Sequence, residues 1–251
     1  MRFCKDILGV QRQTCNIGVL LELGRVPLML FGKKNCIKNQ VRIGHNGKAN
    51  KTVLMSYLNC TEEQLKWPSS IMDCFNVIGC GNINEFMDKT AFQRMIELFH
   101  QETFAYISRE DSKLRTYAKL KKDRGLENYL KNVDLEKRIP LTKIRLSNHD
   151  LVIEKGRHQG LEVHQRNCPI CSEILVEDEL HFLLQCKTYT SIRADMFSQA
   201  KIYFPEFDHF SKDQQLKTLL VDDNVVEHSG NYLLKAFELR RFILGKHKNA
   251  F

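Results

Sequence analysis

Four residues between positions 168 and 186 have types and spacing that can do chemistry. Cys168-Pro169-Ile170-Cys171 is followed after nine residues by His181 and after four more by Cys186, the pattern C-x2-C-x9-H-x4-C. Three thiolates and one imidazole are soft ligands that complete a tetrahedron, so the set suits zinc in a structural role, with no coordination position open for catalysis. The first pair forms a knuckle whose backbone amides can hydrogen-bond the sulfurs. Glu177, Asp178 and Glu179 precede His181 as acids do in a helical first turn, where they favour the macrodipole. Five residues turn about 500° in an ideal α-helix, so His181 and Cys186 meet one metal only if the helix loosens before Cys186. Two other readings are a buried cluster without metal and a redox C-x-x-C. The second lacks the βαβ surroundings of a thioredoxin. His164, a rival ligand, is read as exposed. The metal-stabilised subdomain spans about 164–190.

The chain otherwise offers no constellation for catalysis. Two adjacent aspartates, Asp222 and Asp223, are a pattern with which a polymerase palm holds two metal ions, but that needs a third carboxylate and a hairpin, and neither is seen around Leu220-Val221. A solvated loop or helix cap fits them better. Neither a phosphate-cradling glycine loop nor the G-x-S-x-G or H-E-x-x-H motif is present, and no enzymatic activity is expected.

At 251 residues the chain has room for one large domain or two small ones. Its 43% hydrophobic and 27% charged residues are those of a globular protein rather than a disordered or collagen-like one. The nine cysteines are an odd number without a secretory leader, which argues for a reducing compartment, cytoplasmic or nuclear. Apart from the three thiols of the C-x2-C and H-x4-C pairs, Cys4, Cys15, Cys36, Cys60, Cys74 and Cys80 are read as core residues. No stretch reaches the ~18 apolar residues of a membrane span; Glu22 and Arg25 interrupt the most apolar one. The net charge of +8 is concentrated in residues 1–60 and 111–167, with acidic excess in 61–110 and 168–251. Basic blocks of this kind can hold a polyanion by releasing its counterions.

The elements that must position these residues read as mainly α. Val19 to Gly24 ends in a glycine suited to a C-terminal cap, and Pro27 can open the next helix. Arg42–Lys51 reads as a polar loop, 52–67 and 68–79 as helices, and Asn84–Ile107 as a long helix with Phe92, Met95, Phe99 and Ile107 on an apolar face. Helical patterns continue over Ser112–Leu130, from Pro140 to Gly156, and over Asp195–Phe204 and Asn231–Leu244. The expected division is a helical, thumb-like region over 1–110, then a basic helical segment over 111–251 carrying the small CCHC zinc-binding subdomain and C-terminal helices.

Several of these runs share a resemblance. Phe3-Cys4-Lys5, Ile7 to Val10, Glu22-Leu23-Gly24-Arg25 and Pro27-Leu28 are similar to the segment that follows the reverse-transcriptase palm in polyproteins of LINE-type (non-LTR) retrotransposons. Tyr117, Lys119, Gly125-Leu126-Glu127, Tyr129-Leu130, Arg145-Leu146-Ser147, His149, Ile153-Glu154 and Gly156-Arg157 follow in order, and lead into Cys168 to Cys186, which resembles the zinc-binding segment near the end of those polyproteins. The resemblance implies a C-terminal piece, truncated or repurposed, without the family's polymerase and endonuclease parts. Its partner would be nucleic acid, RNA or single-stranded DNA. Phosphate contacts are expected from Lys119, Lys121, Lys122, Arg124, Lys143, Arg145, Lys155, Arg157 and Arg166, with His149 and His158 adding stacking or hydrogen bonds. The alternative is a structural or protein-interaction remnant that binds no nucleic acid.

Overall fold

A computed structural model describes residues 1–45, 89–109 and 112–245. The described residues are mainly helical and contain no strand, only the isolated bridges Leu23 to Leu126 and Asn167 to Val176. The helices expected over 52–67 and 68–79, and Cys60, Cys74 and Cys80, lie outside them.

The chain divides into two compact units, one of residues 1–25 with 106–251 and one of residues 26–105. This differs from a boundary near 110. Residues 1–25 join the C-terminal part because Glu22 is buried there against Arg145, as shown below. In the second unit α3 (Leu28–His45) and α4 (Lys89–Ile107, whose last residues belong to the first unit) are brought together by Phe31 and Phe92, with ring centroids 5.4 Å apart, and Lys34 lies over the Phe92 ring at 4.1 Å. Pro27 immediately precedes α3, and α3 continues through Arg42 to His45 where a loop was expected.

The first unit begins with α1 (Arg2–Leu8) and α2 (Asn16–Glu22). Gly24 caps α2 as the sequence suggested: φ is +58°, and the Gly24 and Arg25 amides donate to Leu21 O and Leu20 O at 3.1 and 2.8 Å. A side chain at Gly24 would also run into the backbone of Gly125 and Leu126, so glycine is required twice over. Three helices follow: α5 (Arg115–Leu120), α6 (Tyr129–Asn132) and α7 (Leu135–Arg145). Pro140 lies inside α7 rather than opening it; the helix starts after Asp134, whose carbonyl accepts from Arg138 at 2.9 Å, and burial of Leu141, Ile144 and Arg145 holds the turn that proline weakens. α8 (Val152–His158) precedes the cysteine segment.

Beyond that segment are α9 (Thr190–Tyr203), α10 (Lys212–Val221) and α11 (Val226–Ile243). Ser211 and Gln214 form a reciprocal capping box that fixes the start of α10. α11 packs on both α7 and α9, and lies close against α7 at Gly230, where an added Cβ would meet Lys137 at 2.9 Å. The core runs from Leu120 and Tyr129 through Leu141 and Ile144 to Phe182, Tyr189, Leu219 and Tyr232. Each such side chain contributes about 1.5 to 3 kcal/mol by leaving water. Cys4 and Cys15, expected in the core, are only half-buried. Asp222 and Asp223 fall at the end of α10 and the loop after it, where they accept from the Asn224 amide and the Asn128 side chain at 3.0 Å each. Among the described residues no helix is long and apolar enough to cross a membrane.

Candidate metal centre

Cys168, Cys171, His181 and Cys186 converge: one potential ligand atom from each lies within 4.8 Å of the others. A tetrahedral zinc with Zn–S bonds of about 2.3 Å places its ligands roughly 3.8 Å apart, so the cluster can hold a metal ion of that size with little movement. Cys168, His181 and Cys186 are buried, and Cys171 is half-buried at the rim. His164 is exposed and stands outside the cluster.

Two local devices create this convergence. In the knuckle, the Cys168 amide donates to Leu175 O at 2.8 Å, and Glu177 N to Arg166 O at 2.9 Å, which folds the segment back beside the Asn167 to Val176 bridge. On the other side, residues His181–Gln185 form a π turn closed by Cys186 N donating to His181 O at 2.8 Å. A π turn bonds i to i+5, so it stacks residues five apart on one face and removes the angular mismatch that an α-helix imposes on His181 and Cys186.

The π turn leaves carbonyls that an α-helix would satisfy, and two side chains of the C-terminal helices take them. The Tyr232 hydroxyl donates to Phe182 O at 2.5 Å, and the Arg193 guanidinium donates to Cys186 O at 2.8 Å and Phe182 O at 3.3 Å. Phe182, between the ligands, is packed by Tyr189, Tyr232 and Phe237 at centroid distances of 4.9, 6.0 and 4.8 Å. Tyr232→Phe removes one donor and little volume, and is expected to lower unfolding free energy by about 1 kcal/mol in a denaturant titration.

The electrostatics suit deprotonated ligands only when a cation is present. Burial pushes the Cys168 thiol up to about 12 and raises Cys186 as well, whereas burial lowers the His181 imidazole and keeps it neutral with a lone pair to offer. Its Nε2 lies 3.5 Å from Cys171 Sγ, and its backbone amide is held by Asp178 Oδ1 at 2.7 Å.

The acids before His181 do more than favour a helix dipole. Glu177 pairs with Arg240 at 2.6 Å and accepts from the Val152 amide at 2.7 Å, tying the knuckle to α11 and α8. Glu179 is enclosed by His149 at 2.9 Å, Arg115 at 3.1 Å and Thr116 at 3.1 Å. Burial would raise its carboxyl, but the hydrogen bond and charge of His149, with Arg115, hold it down at about 2. Ser147, at φ +50°, turns the chain at the end of α7 so that His149 can reach Glu179. No periodicity in the sequence marks Glu177, Glu179, Arg193 or Tyr232 as supports of the site; only the π turn and the packing of α9 and α11 assign them.

The residues expected to contact phosphate are divided. Arg145 has no exposed surface: it donates to Glu22 at 2.7 Å, Glu127 at 2.5 Å and Leu220 O at 2.8 Å. Lys121 is 1% exposed and engaged by Glu127 and Gly125 O. His149 is wholly buried, and Arg166 donates to the carbonyls of Leu161 and Ile153. These four are internal anchors in the folded chain, because the acids and carbonyls around them absorb their donors. Lys122 and Arg124 are exposed, and Lys119 is exposed but paired with Asp213 at 2.8 Å. Lys155 pairs with Asp150, Arg157 with Glu154, and His158 is exposed. Lys143 and Lys155 line a cleft of about 590 Å³ that also receives Lys113, Asn148, Phe237 and Arg241. Burial lowers Lys113, partly offset by Glu154.

No known protein family, no curated protein and no solved structure matches this chain.

Proposed function

We propose that the chain is a non-enzymatic, zinc-stabilised helical module, of non-LTR retrotransposon descent, that binds RNA or single-stranded DNA. The convergence of Cys168, Cys171, His181 and Cys186 carries the reading. Three soft sulfurs and one imidazole, filled by residues of the chain itself, suit zinc as a structural ion. Descent is supported by where the resembling residues lie: Glu22 meets Arg145, Leu23 bridges Leu126, His149 meets Glu179, and Ile153 N donates to Glu177 O at 3.1 Å. Residues from several of the runs that carry the resemblance thus pack against one another within the first unit.

Nucleic-acid binding is supported by the cations left at the surface, Lys119, Lys122, Arg124, Lys143, Lys155 and Arg157. Fluorescence anisotropy with a labelled single-stranded oligonucleotide tests it. Affinity is expected to fall with salt, with a log–log slope approaching about −4 if all these cations engage phosphates. A structural or protein-interaction role is the second reading, favoured by the internal use of Arg145, Lys121, His149 and Arg166. Absence of binding to both RNA and DNA at low salt would select it.

A further inference from the structure

The cleft of about 590 Å³ lies wholly within the first unit, where residues of α7, α8 and α11 line it together with Gln11 and Lys113. Its size falls within the roughly 300 to 1,000 Å³ of sites that enclose small organic ligands, and such sites combine an apolar wall with a few polar groups. Ile139, Pro140, Leu234 and Phe237 supply the apolar wall. Supports of the metal centre back it: Phe237 rests on Phe182 at 4.8 Å, and Arg240 and His149, which also line the cleft, are tied to Glu177 and Glu179 at 2.6 and 2.9 Å. The cleft is thus preformed by bonds that an occupant need not supply.

The charged groups of the lining differ in burial. Lys113 and Lys143 are half-buried and form no ion pair among the described residues, whereas the lining acids Glu136 and Glu238 are exposed. Glu154, the acid that acts most on Lys113, is spent on Arg115 at 3.1 Å and Arg157 at 3.2 Å, and Asp150 is paired with Lys155 at 3.1 Å. An ammonium taken partly out of water without a counterion is costly. Burial accordingly lowers the Lys113 pKa, and Glu154 offsets only part of the shift. Two side-chain amides complete the lining, with Asn148 Oδ1 accepting from the Gln11 backbone amide at 2.9 Å.

We propose that this cleft binds one nucleotide of a single-stranded nucleic acid, with the base against the wall of Pro140 and Phe237 and the phosphate against Lys113 and Lys143. The cleft asks for an anion with an apolar body. A phosphate supplies the counterion that the half-buried ammonium groups lack, through charge-assisted hydrogen bonds. A base covers the apolar wall, and any base can do so because each has a π-face. Inorganic phosphate would leave the wall wet, and an uncharged ring would leave the ammonium groups without a partner. The proposal rests on the nucleic-acid-binding reading, which selects a nucleotide among anions of this kind, and gives that reading a place.

The test uses the full chain loaded with metal. In calorimetric titrations uridine 5′-monophosphate is expected to bind about tenfold or more tightly than uridine or inorganic phosphate, because it alone engages both the wall and the cations. Lys113→Gln/Lys143→Gln, which keeps much of each aliphatic stem, is expected to weaken the nucleotide by about tenfold or more. Lys131→Gln, at an exposed lysine of α6 outside the cleft, should leave it unchanged. Acylation of lysines, read by mass spectrometry, locates the site in the wild-type protein whether or not the double variant folds: the nucleotide should slow reaction at Lys113 and Lys143 and not at Lys131. Equal affinity for uridine or for inorganic phosphate, or nucleotide binding that leaves Lys113 and Lys143 unprotected, overturns the proposal. Binding of a labelled oligouridylate in those cases leaves the nucleic-acid-binding reading standing at another surface, whereas wild-type protein that binds neither the oligonucleotide nor the monophosphate overturns both.

Discussion

Stripping the metal with excess strong chelator is expected to disorder the segment from Asn167 to Cys186 and to lower the melting transition of the unit that contains it. Structural zinc sites of this ligand type supply an apparent ~10 to 16 kcal/mol of binding free energy, as large as the whole unfolding free energy of an ordinary domain. Most of the knuckle from Pro169 to Leu175 lies outside the core, Ile174 projects into solvent at 87% exposure, and the π turn is a geometry that tertiary contacts must sustain. Disorder would not stop at the ligands, because Phe182, Leu183 and Leu184 lie between His181 and Cys186 and are buried in the main core. Circular dichroism melts with and without chelator, alongside metal content per chain by mass spectrometry, check this. Cys186→Ser should reproduce the chelator effect and Cys4→Ser, at a half-buried thiol away from the cluster, should not. An unchanged melt on complete metal removal contradicts it.

The convergence of Cys168, Cys171, His181 and Cys186 was legible in the sequence because metal chemistry restricts residue type and spacing together, and the need for a loosened helix at Cys186 followed from angular arithmetic alone. The mainly α class was legible for the same kind of reason: Lys89–Ile107 and Val226–Ile243 carry long helical patterns. What the sequence did not disclose is which charges are inside. Arg145 and Lys122 look alike as members of a basic block, but one is sealed by Glu22 and Glu127 and the other is at the surface. The difference depends on a pairing across more than a hundred residues, for which local pattern carries no signal. Pro140 misled by the same route, since a proline tolerated inside α7 is explained only by the burial of Pro140 itself and of Leu141, Thr142, Ile144 and Arg145 after it.

The buried pair of Glu22 and Arg145 sets the second large effect: Glu22→Ala is expected to destabilise the protein by about 3 to 5 kcal/mol, because it leaves a guanidinium uncompensated in the interior. Burial opposes the charge on Arg145, and Glu22, Tyr129 and Glu127 outweigh it, so the group cannot escape by losing its proton. Glu127 alone is a weaker counterion, since it also serves Lys121. Tyr129, whose ring faces the guanidinium at 5.1 Å, would lose its bond to Glu22 and keep only Thr142. For a unit of this size the change corresponds to a fall in melting temperature of about 10 °C, readable by calorimetry. The pairing also joins α2 to α7, so limited proteolysis of Glu22→Ala should release residues 1–25 faster than it does from the wild type. Replacing both partners, as Glu22→Leu/Arg145→Met, should recover a good part of the loss, because an apolar pair needs no counterion. Recovery would be incomplete, since Leu220 O and Glu127 each lose a donor with Arg145. A Glu22→Ala variant as stable as the wild type would mean that residues 1–25 do not pack on α7 in solution, and the division of the chain into its two units would have to be drawn elsewhere.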